Sequence, residues 1–104
     1  MDTATSTGRA LCQRLTIVNR KGLHARASAR FVRTAECFEA EVQVSRDGQT
    51  VAGNSIMGLM MLGAGLGSTI LVQASGKQAR EALDAITVLV NNGFDEDAEG
   101  AADA

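Results

Sequence analysis

Among its 104 residues the chain has no proline, tryptophan or tyrosine, three phenylalanines, two cysteines and one histidine. With so few aromatic faces it is poorly supplied with the platforms on which single-stranded nucleic acid stacks. Its net charge of −2 also lacks the basic balance of nucleic-acid binders, so no nucleic-acid partner is expected. Two cysteines make no disulfide framework, and the spacing of Cys12 and Cys37 fits no zinc pattern. Both are expected to be small, buried apolar residues, and no metal or cofactor is expected. Residues 1–10 contain no apolar run of the kind a secretory signal needs. The longest apolar stretch, Ile56 to Leu66, is too short and too rich in glycine to span a bilayer. A cytoplasmic monomer without membrane insertion is therefore expected.

What is present is a one-domain length with 45% apolar residues, enough for a single core. The charges are divided along the chain. Arg9, Arg14, Arg20, Lys21, Arg26, Arg30 and Arg33 all precede residue 34, where Asp2 is the only acid. The remaining acids lie beyond it. A basic end favours anionic ligands or acidic protein surfaces.

The pattern predicts a flexible extension over 1–10, a domain over 11–94 and an acidic flexible tail over 95–104. Leu15, Ile17 and Asn19 alternate with Thr16 and Val18, a strand pattern placed over about 11–18. Residues 19–22 read as a loop. No breaker interrupts 25–37, a helix. Residues 41–45 alternate, Asp47-Gly48 makes a tight turn, and 49–52 completes a hairpin. Asn54-Ser55 offers an N-cap to a short helix over 56–62, ended by Gly63 and Gly65. Residues 68–75 alternate with Ile70, Val72 and Ala74 on one face. Residues 78–91 form an amphipathic helix with Ala79, Ala82, Leu83, Ile86 and Val90 as its stripe. Helices that cannot all be crossovers imply an α+β fold, with a mainly antiparallel sheet covered on one face.

His24 stands at a loop-to-helix junction, Gly22-Leu23-His24-Ala25-Arg26. A lone histidine is more often structural, a cap or a gap filler. Here the free N–H groups and the positive dipole end of a helix collect just beyond it, a seat for phosphate. Arg26 is close enough to share that anion, and Gly22 permits close backbone approach. Neutral imidazole is available as a nucleophile near cell pH, since its ordinary pKa is about 6.5. These features favour a phosphoryl-accepting role, provided that a ring nitrogen is reachable by solvent and faces the helix amides.

Ser55 has two readings, a simple N-cap and a regulatory phosphorylation site at a helix start. Residues 56–62 carry more apolar side chains than one buried stripe can use. Met57, Met60, Met61 and Leu62 are accordingly expected to supply an exposed docking patch, because methionine surfaces adapt to several partners.

The segment 22–26 resembles the active-site segment of the histidine-containing phosphocarrier family, HPr, of the bacterial phosphotransferase system. Residues 54–63, Asn-Ser-Ile-Met-Gly-Leu-Met-Met-Leu-Gly, are similar to that family's second signature, at a matching separation. The resemblance covers about residues 11–94. It implies an open-faced β-sandwich, a four-stranded antiparallel sheet with three helices on one side. It also implies a carrier that is not itself an enzyme. Enzyme I would phosphorylate His24 on Nδ1, Arg26 would stabilise the phosphate, and an enzyme IIA would receive it. Ser55 matches the serine modified by HPr kinase/phosphorylase, and the patch from Met57 matches the docking surface. One departure stands out: the family's usual proline after the arginine is Ala27 here, which is expected to loosen the start of the helix. Residues 92–97 and the Asn54-Ser55 pair are also similar to the nitrogen-branch paralogue, NPr. The rival from another class is a non-covalent adaptor acting through Met57–Leu62. A second rival is a sensor that uses the basic loop as an anion site.

Overall fold

The computed structural model describes residues 10–96. Along the chain run β1 (Leu11–Thr16), α1 (Ala25–Ala35), β2 (Glu41–Arg46), β3 (Gln49–Ala52), α2 (Ile56–Met61), β4 (Thr69–Ser75) and α3 (Ala79–Asn91), followed by a 3-10 turn over Gly93–Asp95. The four strands form one antiparallel sheet in the order β1-β4-β2-β3. This is an α+β fold in which the three helices share the core with one face of the sheet.

The period of two along each strand decides what is buried. Leu15 pairs with Ile70, Val44 with Val72 and Val42 with Ala74. All six are buried on the helical side. They meet Phe31 and Val32 of α1, Leu59 of α2, and Leu83, Ile86 and Val90 of α3 in one core. Among the described residues, no helix is long and apolar enough to cross a membrane. No cluster of three or more metal-ligating side chains occurs among them either.

The cysteines are exposed, not buried. Cys12 pairs with Gln73 on the outward face, out of phase with Leu15. Cys37 lies just past the end of α1, where its thiol meets the Arg33 carbonyl at 3.3 Å. The first strand ends two residues before the boundary read from the sequence. Hydrogen bonds continue its course all the same: Ile17 N–H donates to the Ser68 carbonyl and Gly67 N–H to the Ile17 carbonyl, each at 2.8 Å. Residues 1–9 and 97–104, most of the two segments read as flexible, lie outside the described residues.

Candidate functional site

β1 delivers the chain to a loop held from within by Asn19. Its amide is 1% exposed, and Nδ2 donates to the Gly22 carbonyl at 2.9 Å. The loop is also tied to the segment after α2. Leu23 N–H donates to the Ala64 carbonyl at 2.9 Å. Gly22 has φ +67°, and a Cβ there would fall 2.3 Å from that same carbonyl oxygen. Glycine is therefore required for both conformation and space.

His24 follows as the N-cap of α1, in an extended conformation. Its Nδ1 accepts the Arg26 backbone N–H at 3.3 Å, the place a serine or aspartate oxygen takes in most caps. A neutral imidazole that accepts at Nδ1 carries its proton on Nε2. The nucleophilic lone pair thus faces the first-turn amides and the positive end of the helix dipole. The side chain is 27% exposed, so solvent reaches the ring. The start of α1 is tied down without proline. Ser28, fully buried, donates its N–H to the His24 carbonyl at 2.8 Å and its hydroxyl to the Leu23 carbonyl at 3.2 Å.

The other ring nitrogen has a partner that the sequence reading missed. Glu96 Oε2 meets His24 Nε2, while Glu96 Oε1 accepts from Asn19 Nδ2 at 2.9 Å. Asp95 and Glu96 were read as the start of a loose tail, yet Glu96 is folded onto the histidine. Three successive left-handed residues, Gly93 (φ 65°), Phe94 (φ 56°) and Asp95 (φ 61°), turn the chain back after α3. That conformation costs about 1–3 kcal/mol for each non-glycine residue and persists only where the surroundings impose it. Here Phe94 is wholly buried, and the Arg30 guanidinium donates to its carbonyl. Burial by itself would raise the Glu96 carboxyl pKa. The hydrogen bonds from Asn19 and His24, with the favourable electrostatics of the His24 ring and the Lys21 ammonium, outweigh it and hold the carboxyl below its usual range.

Residues 11–92 match the family model described as the PTS HPr component phosphorylation site. The chain belongs to the HPr family. It is 48% identical over 81 residues to the phosphocarrier protein HPr of Cupriavidus necator, covering 78% of this chain and 91% of that protein. It is 40% identical over 84 residues to the phosphocarrier protein NPr of Shewanella violacea, covering 81% and 92%. Among solved structures it is similar to HPr-C-His from Thermoanaerobacter tengcongensis, with a TM-score of 0.78 and 37% identity over 81% of this chain and 94% of that one. An HPr chain of the phosphotransferase system is a phosphoryl carrier, not an enzyme, and the fold described above is the HPr fold.

Within this HPr fold, the first segment singled out in the sequence is tied by the Leu23–Ala64 hydrogen bond to the residue just past the end of the second. Ser55 is the N-cap of α2, its hydroxyl accepting the Gly58 N–H at 2.9 Å. Met57 and Met61 are about 70% exposed and Met60 is 40% exposed. Leu62 does not join them. It is 3% exposed, because the helical backbone continues through this C-cap and places it one turn on from buried Leu59, on the same face. Asn19 could have been found in the sequence, since it continues the inward phase of Leu15 and Ile17. Glu96 carries no such signal.

Proposed function

We propose that this chain accepts a phosphoryl group from enzyme I on Nδ1 of His24 and passes it to an enzyme IIA, working in the cytoplasm as a monomer. The observation that carries this reading is the half-buried ring with its unprotonated nitrogen facing the first amides of α1. In the accepting step the Nδ1 lone pair forms the N–P bond while the bond from phosphorus to the donor breaks and its electron pair leaves with the donor. The backbone N–H of Arg26 then turns from the ring nitrogen to a phosphoryl oxygen, and its guanidinium supplies charge-assisted hydrogen bonds. The group is retained by the same donors that receive it.

Met57, Met60 and Met61 form the docking surface in this reading, as adaptable apolar side chains on a helix packed beside α1. Ser55 is the regulatory position. A phosphate there adds about −1.5 to −2 charges at the start of α2, compatible with the helix and repellent to an acidic partner.

Incubation with phosphoenolpyruvate and enzyme I is expected to add one acid-labile phosphate to the wild type and none to His24→Ala. Equal labelling of the two proteins would refute the assignment. Met60→Asp is expected to keep the fold and slow acceptance. The adaptor rival instead requires His24→Ala to signal normally.

A further inference from the structure

We propose that Glu96 is the positioning residue of the phosphoryl-accepting histidine, holding the ring through Nε2 and balancing the charge the ring acquires when Nδ1 takes the phosphoryl group. The inference rests on the function proposed above and adds to it a residue outside both signature segments.

Three observations converge on it. Glu96 is paired with the nitrogen that does not react. Its second oxygen is fixed by Asn19, whose amide also fixes the Gly22 carbonyl, so one buried side chain sets carboxylate and active loop in register. Its approach is built into the chain through the left-handed turn and the buried Phe94. A contact reached at such conformational expense is imposed by the fold.

The chemistry gives the contact a use. The neutral ring carries its proton on Nε2. When the Nδ1 lone pair forms the N–P bond, that proton stays, and the ring gains one positive charge as the electron pair of the breaking bond leaves with the donor. When the group is passed on, the N–P pair returns to the ring and the charge disappears. A carboxylate on Nε2–H lowers the energy of the cationic ring, which favours acceptance and retention of the group, and it keeps Nδ1 aimed at α1. The cations nearby, Lys21, Arg26 and Arg30, supply no such compensation. Lys21 acts on the carboxylate itself, and the other two belong to the helix that receives the phosphate. A carboxylate orienting an imidazole and stabilising its cationic form is a known device in acyl transfer. Here the imidazole is the nucleophile itself.

The test compares wild type, Glu96→Gln and Glu96→Ala in single-turnover phosphorylation by enzyme I, with thermal unfolding as the control for folding. Glutamine keeps an acceptor for Nε2–H and loses the charge, whereas alanine loses both. Both variants are expected to transfer about tenfold more slowly at saturation, with the concentration dependence on enzyme I little changed. The His24 Nε2–H resonance in ¹⁵N NMR should persist in Glu96→Gln and exchange faster with water in Glu96→Ala. Transfer by Glu96→Gln at the wild-type rate would overturn the proposal. So would an Nε2–H resonance in Glu96→Ala as protected as in wild type. A wild type that takes no phosphate at all would instead defeat the reading of His24 on which the proposal stands.

Discussion

In the proposed role, the single histidine acts as a nucleophile because its neighbours engage one ring nitrogen only weakly. The Arg26 amide engages Nδ1 only at 3.3 Å, a long contact that a phosphoryl oxygen can replace. Ser55 is a simpler capping residue. Ser55→Ala removes the acceptor for Gly58 N–H and is expected to cost about 1 kcal/mol in chemical denaturation while leaving phosphorylation of His24 intact. Glu96 makes a pH-dependent contribution. Its carboxyl is held below the ordinary value of 4.5, so the stability it provides is fully present above that pH and is lost as pH falls through the lower folded value. Glu96→Gln should therefore flatten the acid limb of the stability profile, and an unchanged limb would contradict the assigned contacts. At this scale the sequence was only partly legible. The placement of His24, Arg26 and Ser55 at helix starts was readable because each start is marked by glycine or a capping residue. The cysteines were misread because residue type outweighed phase: Cys12 stands one position out of step with Leu15 and Ile17, which already places it outward.

Whole elements followed hydrophobic period closely. The stripe read for the last helix, Ala79, Ala82, Leu83, Ile86 and Val90, is its buried set. The alternation of 41–45 and 68–75 likewise gave strands whose inward residues pair in register. The ends of elements were read less well. Leu62 has the apolar character of its exposed neighbours, but it lies three residues after Leu59 on the same buried face, so residue type was given weight there that the period should have had. The reversal at Gly93–Asp95 places two non-glycine residues in the left-handed region, which aspartate tolerates but phenylalanine does not favour. It is dictated by tertiary packing, so the approach of Glu96 to the histidine could not be read locally. The contact between elements that most constrains the site is that of Gly22 against Ala64. Gly22→Ala is expected to destabilise the fold by about 2–4 kcal/mol, through the left-handed backbone and the clash with the carbonyl, as measured by urea unfolding. A loss below half a kcal/mol would show that the loop has room the structure denies it.

The molecule as a whole couples its core to its surface chemistry through one aromatic residue. Phe94 fills the core and anchors the turn that carries Glu96, so core stability and ring orientation depend on the same side chain. Phe94→Ala is expected to cost about 3–5 kcal/mol and to lower Tm by about 12 °C or more. At temperatures where it remains folded, its His24 Nε2–H should exchange as fast as in Glu96→Ala. In the proposed function, the rest of the architecture holds one imidazole nitrogen at the mouth of a helix, where a partner protein would reach it. The most direct measurement is ¹⁵N–³¹P correlation NMR of the chain after phosphorylation by enzyme I. A single phosphorus coupled to Nδ1 of His24 is the predicted result. Coupling to Nε2, or phosphate carried by any residue other than His24, would contradict the account.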